Sequence, residues 1–242
     1  YCFARQIAAK GHFNFDKPVG RARILDRLSE DAPKYQGTDK RVLLCFACDP
    51  YQQLNEELGL TRKALEILKA HDIPFQVLTK GGTRACLDFD LYDDCDAFAT
   101  TLTYLGPRRS RKHEPRAALP ADRIQALERA HAMGITTWVS LEPVLDPAES
   151  LQIIRETHSF VDLFKIGTLN HQTSGINWSD FGRKAVRLCR DLEVDYFIKV
   201  DLARHLQSFH FHSVDNRTVR RQRLEARRSA VAGPSRQKVL HG

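Results

Sequence analysis

The sequence predicts an α/β fold built on a parallel sheet. Three observations carry that expectation. Short apolar runs alternate with amphipathic segments from residue 42 to residue 201. Strands separated by helices of 10–15 residues imply βαβ units. The strand runs are almost continuously apolar, as strands must be when helices cover the sheet. The chain of 242 residues, 42% hydrophobic and 28% charged, is also long enough for one large core or two small ones. On pattern alone, a doubly wound sheet and a β/α barrel both stay open.

The elements follow in order. A first helix is expected over 19–29. Strands are expected over 42–47, 75–79, 97–104, 136–141, 163–168 and 196–200, from their apolar content. Helices are expected between them over 60–71, 83–92, 121–133, 147–157 and 178–192. Leu65, Ile67 and Leu68 sit at helical spacing, as do Ile124, Leu127 and Ala130. Pro120-Ala121-Asp122 suits a helix start, and Gly134 follows Met133 where a C-terminal cap belongs. Asp146-Pro147 suits the next start. From about Leu206 the pattern decays. Residues 1–205 therefore read as the folded domain and 206–242 as a basic tail of disordered composition.

The net charge of +7 belongs to that tail. From Arg217 to Gly242 there are eight Lys/Arg and one acidic residue, so the other 29 basic and 29 acidic residues cancel. The body is neutral, and its pI is no argument for a nucleic-acid surface. No apolar run approaches the roughly 20 residues that span a membrane. Six scattered cysteines, without the spacing of a disulfide framework, suit a reducing cytoplasm.

In β/α architectures chemistry gathers at the carboxyl ends of the strands. Here those ends carry Cys48-Asp49-Pro50-Tyr51-Gln52, Thr79-Lys80-Gly81-Gly82, Thr101 and Thr103, Ser140-Leu141-Glu142-Pro143, Gly167 to His171, and Lys199 with Asp201. Charged groups at the ends of buried runs are costly unless they meet partners or a ligand. Six such ends in succession point to one polar mouth. A mutual ion pair between Lys80 and Glu142 is the plainer alternative. Cys45-x-x-Cys48 is spaced like half a zinc site, with no second half evident. His210-Phe211-His212 lies in irregular sequence and carries no metal expectation.

Several stretches together resemble radical S-adenosylmethionine (SAM) proteins of the spore photoproduct lyase-like, or DNA repair photolyase-like, group. They are YCFAR (1–5), FACDPYQ (46–52), LTRKALEIL (60–68), QVLTKGG (76–82) and SLEPVLDP (140–147). The resemblance covers about residues 1–201. It implies a partial (βα)6 TIM-like barrel, here lacking its first strand, and a [4Fe–4S] cluster held by three cysteine thiolates. Cys2 would be the third ligand, with the other two upstream of Tyr1. SAM would bind the cluster's open iron and be cleaved to a 5′-deoxyadenosyl radical that abstracts a hydrogen atom.

Carried onto this sequence, the resemblance assigns Tyr1, Asp49, Lys80, Thr101, Glu142 and Asn170 to SAM, with Lys80 on its carboxylate. Cys48 is a candidate hydrogen-atom donor. An electron donor such as a flavodoxin or ferredoxin is the implied partner, and nucleic acid the implied substrate class. The chain as written is expected to hold no stable cluster and to be inactive, with the edge of its first strand unpaired. Two other readings compete. One is a non-catalytic nucleic-acid binder working through the basic tail. The other is an iron-free barrel enzyme using Lys80 and Glu142 as base and acid.

Overall fold

The computed structural model describes residues 8, 10–11, 14–44, 48–169, 174–207 and 209–214. Six parallel strands form one sheet in the order of the chain: β1 (Val42–Leu44), β2 (Phe75–Thr79), β3 (Ala97–Thr101), β4 (Thr136–Leu141), β5 (Leu163–Ile166) and β6 (Asp195–Ile198). Each strand pairs with its sequence neighbours only, so β1 and β6 do not meet and the barrel stays open. A doubly wound sheet would reverse its strand order at a switch point; this one does not.

The connecting helices are α1 (Ile24–Asp31), α2 (Gln53–Leu58), α3 (Leu60–Ala70), α4 (Pro107–His113), α5 (Pro120–Ala132), α6 (Pro147–Thr157), α7 (Trp178–Asp191) and α8 (Val200–Ala203). Local chemistry starts them. Pro120 fills the first turn of α5, where no amide partner is needed. Asp146 caps α6 by accepting from the Ala148 and Glu149 amides at 3.0 and 3.2 Å. Asn177 accepts from Asp180 N at 3.0 Å to cap α7. Among the described residues no helix is long and apolar enough to cross a membrane.

The sheet divides the interior in two. Phe75, Val77, Phe98, Val139, Leu141, Phe164, Ile166 and Ile198 join helix side chains such as Leu65, Leu127, Ile154 and Val186 in the main core. The alternate strand positions point to the inner face. There Ala97, Ala99, Trp138 and Leu163 form a separate small cluster with Leu43, Leu78, Phe197 and Val214. This cluster is the floor beneath the mouth. Two aspartates hold the opposite ends of the strands in one manner: Asp96 accepts from Phe75 N at 2.8 Å, and Asp162 from Thr137 N at 2.7 Å.

Three expectations change. The segment expected as a helix over 83–92 is a 3₁₀ run, Gly82–Leu91. It is tied at one end by Thr83 to Asp122 and at the other by Asp88 to Tyr51 and Arg62. The first helix begins five residues later than expected, and Val19 is 85% exposed. The folded part also runs past residue 205. Leu206 is buried, Phe209 and Phe211 pack on the main core, and Val214 N donates to Tyr196 O at 2.9 Å along the β6 edge.

Candidate functional site

The strand ends converge because the strands are parallel and in register. Ladder pairs Thr101↔Ser140, Ser140↔Lys165 and Lys165↔Phe197 form one transverse row across the inner face. Lys80 follows Thr79, the last residue of β2, and continues the row toward β2. The next level up holds Glu142, Gly167 and Lys199.

Asp49 is bonded on both carboxylate oxygens. Oδ1 accepts from Thr79 Oγ1 at 2.5 Å and Tyr51 N at 2.9 Å, and Oδ2 accepts from Lys80 N at 2.6 Å. It clamps the loop after β1 to the loop after β2. Gly81 permits this closeness: a Cβ there would lie 2.6 Å from Tyr51 Cβ. Tyr51 is buried and donates to Asp88 Oδ2 at 2.9 Å. Burial first, then nearby Tyr92 and Asp88, push its phenol far above the usual value.

Lys80 lies 2.7 Å from Glu114 Oε1. Glu114, at the end of α4, also pairs with Arg123 at 2.7 Å and accepts from Thr103 Oγ1 at 3.3 Å. Arg123 is the largest fully buried side chain, and its guanidinium donates to Thr101 O at 2.9 Å and Ala118 O at 2.7 Å. A buried pair of this kind is costly, and the two backbone carbonyls that accept from Arg123 offset part of that cost. Lys80 is thus fixed from beneath by a Glu–Arg relay that also grips the end of β3.

Glu142 pairs with Lys199, whose ammonium is also 3.3 Å from Ser140 Oγ. The pair spans from β4 to beyond β6, across β5. Gly167 makes room for it, since a Cβ there would lie 2.3 Å from Glu142 Oε1 and 3.1 Å from Lys199 Cδ. Lys165 sits with its ammonium 3.7 Å from the Trp138 ring centroid.

Of the residues expected at the site, the structure brings Asp49, Lys80, Thr101 and Glu142 to one mouth. The ion pair between Lys80 and Glu142 is not formed; Glu114 and Lys199 are their partners. Cys48 is exposed. Desolvation first, then the Asp49 charge, push its thiol above the ordinary value. Tyr1, Cys2, Cys45 and Asn170 lie outside the described residues. Among the described residues no three His, Cys, Asp or Glu side chains are grouped to hold a metal. Sequence reasoning missed Glu114, the residue just after α4, and Arg123, inside α5, because neither gave a strand-end signal. Lys165 was visible as a lysine between Phe164 and Ile166.

A basic rim adjoins the mouth. The α4 segment that follows β3 exposes Arg108, Arg111 and Lys112, while Arg109 is engaged by Asp146 and Glu149 at 2.8 Å each.

No protein-family model matches the chain, and no curated protein matches it. Solved structures with the same fold do. Streptococcus suis SuiB bound to S-adenosylmethionine superposes with a TM-score of 0.61 at 8% identity, over 81% of this chain and 48% of that one. SuiB bound to the precursor peptide SuiA gives 0.61 at 8% identity, over 84% and 48%. A further SuiB structure gives 0.58 at 10% identity, over 83% and 48%. The chain spans about half the length of these neighbours, and identity this low shows the fold alone.

Proposed function

We propose that the mouth binds SAM and that the protein is a radical SAM enzyme of hydrogen abstraction. The observation that carries this is Lys80, Thr101 and Ser140 in one row at the carboxyl edge of an open parallel barrel. A neighbour sharing that fold, SuiB, is solved with SAM bound. The residue pattern of the loops after β1 and β2 supports the same class.

The residues fit the cofactor in part. Lys80 reaches the mouth with its side chain 27% exposed, so it offers a cation to the SAM carboxylate while Glu114 fixes its direction. Thr101, in the same row, would offer a hydroxyl to the ribose. Asp49 acts mainly by holding the Lys80 loop. Glu142 belongs to the far side of the mouth. By the sequence resemblance, Cys2 would be a ligand of the [4Fe–4S] cluster and Tyr1 would contact SAM. Bound together, cluster and SAM would supply one-electron, hydrogen-abstracting radical chemistry, with the electron from a small redox protein. Cys48, kept as S–H at neutral pH by its raised thiol, is suited to give a hydrogen atom back to a substrate radical.

The test is calorimetric titration of SAM. Lys80→Met should weaken binding by about tenfold or more, the worth of one charge-assisted hydrogen bond. No heat in the wild type, or equal affinity in the variant, would sink the reading.

A second reading concerns the substrate. The exposed Arg108, Arg111 and Lys112 favour a polyanion such as DNA at the rim. Such binding would be salt-dependent and would weaken when these three become Gln. A non-catalytic nucleic-acid binder would show it with no SAM titration at all.

A further inference from the structure

We infer that Glu114 and Arg123 are positioning residues for the ligand of the mouth. They fix Lys80 and the end of β3 as one unit, and so set a preference for a nucleoside that carries an amino-acid carboxylate over the same nucleoside without it. This deepens the reading of the mouth as a SAM site and rests on it.

Lys80 is held at both ends. Its amide donates to Asp49 Oδ2 at 2.6 Å, and its carbonyl accepts from Ala118 N at 2.9 Å. These bonds fix the backbone where β2 ends. Its ammonium lies 2.7 Å from Glu114 Oε1. That contact directs a long side chain which would otherwise sample many rotamers.

Glu114 is itself fixed. It divides its carboxylate, with Oε1 toward Lys80 and Oε2 2.7 Å from Arg123. Buried Thr103 donates to Oε1 at 3.3 Å. The Glu114 amide donates to Ser110 O at 2.7 Å, which ties the residue to the last turn of α4. The side chain is 3% exposed, so its carboxylate is withdrawn from bulk water.

Arg123 closes the circuit. Its guanidinium donates to Ala118 O and to Thr101 O. Ala118 is the residue whose amide meets Lys80 O, and Thr101 is the residue read as the ribose contact. The sheet ladder sets only the backbone level of the two strand ends, since Thr79 pairs with Thr100. The place of the Lys80 ammonium relative to β3 is set through Glu114 and Arg123.

Stability alone is a poor account of this arrangement. A buried ion pair is often no better for stability than apolar residues of the same volume. Restraining a partly exposed lysine costs side-chain entropy as well. What the arrangement yields is one direction for a cation at the mouth. A ligand carboxylate gains from that direction, because charge-assisted hydrogen bonds depend on geometry. A ligand without the carboxylate gains nothing from it.

The experiment is calorimetric titration of the full chain with two ligands, SAM and 5′-methylthioadenosine. The second keeps the nucleoside and lacks the amino-acid end. Glu114→Gln keeps the shape and removes the charge. In it, SAM affinity should fall about fivefold or more, a part of the effect assigned to Lys80 itself. Affinity for methylthioadenosine should change by less than about twofold. In the Lys80→Met background, Glu114→Gln should lower SAM affinity no further, because the group it directs is gone.

Equal losses for both ligands, or a loss that adds in full to that of Lys80→Met, assign Glu114 to the fold and overturn the proposal. Tighter SAM binding in Glu114→Gln also overturns it, since the carboxylate would then be a rival of the ligand for Lys80. If Glu114→Gln fails to fold by circular dichroism, Glu114→Asp is judged on the same criteria; it keeps a charge for Arg123 and draws it back by one methylene. The two readings fail separately. Lys80→Met that binds SAM as the wild type does sinks the SAM reading and this inference with it. A weakened Lys80→Met beside an unaffected Glu114→Gln sinks this inference alone.

Discussion

Asp49 shows how a residue singled out for chemistry can be engaged in structure. Its three hydrogen bonds join two loops that carry the mouth. Asp49→Ala leaves two backbone amides without their acceptor and should lower stability by about 2–4 kcal/mol, read from urea unfolding. A pure cofactor contact would leave the unfolding midpoint where it was. Cys189 makes a different prediction. It is fully buried, and burial pushes its thiol from 9.0 up to about 12. Between those values the unfolded chain releases a proton that the native state keeps, so stability falls as pH rises through the window. The slope is about 1.4 kcal/mol per pH unit. Buried Tyr51 shifts in the same direction. Cys189→Ala should flatten the alkaline limb of a stability–pH curve between pH 9 and 12; an unchanged limb would assign it to the tyrosines.

At the scale of elements, two glycines separate packing from function. Gly82 opens the 3₁₀ run at φ +64°, and a Cβ would fall 1.9 Å from Asp122 Oδ2. Gly82→Ala strains the backbone and displaces the carboxylate that holds Thr83 at 2.6 Å. A loss of about 1–3 kcal/mol is expected. Gly167 has an ordinary φ, and the atoms in its way are the far ends of Glu142 and Lys199. Gly167→Ala should therefore keep most of the melting temperature while parting that pair. The two melting curves, measured side by side, check the contrast.

The parallel strands and most helices were legible because their signals are local. Residues 75–79, 136–141 and 147–157 match the structure end for end, since apolar content and an Asp-Pro start need no distant partner. The 3₁₀ run was not legible, because its ends are held by Asp122, Tyr51 and Arg62 from elsewhere in the chain. The mouth was read from strand ends as four residues, and its wiring was not. Glu114 and Arg123 matter through a contact between helix and strand, which spacing along one element cannot show.

The end of the folded part was misjudged for a related reason. Phe209, Phe211 and Val214 are isolated apolar residues in irregular sequence; the main core beside α7 gives the first two a role, and the β6 edge gives one to Val214. Phe209→Ala with Phe211→Ala should destabilise the whole molecule by about 2–5 kcal/mol, less than the sum of two fully buried phenylalanines. An effect confined to local proteolysis near residue 210 would argue against that.

The strand order has a consequence for synthesis. Every strand of the sheet after β1 pairs with the strand just before it in the chain. A chain emerging from the ribosome therefore never waits for a distant segment to complete a pair. Each strand finds its template already translated, and each helix follows in time to cover it. The sheet can grow by accretion, always presenting one fresh edge. Its last edge, β6, is met within twenty residues by Ser213 and Val214, whose side chain and amide bond to Ile198 and Tyr196. Growth and its termination are thus written in the same direction as translation.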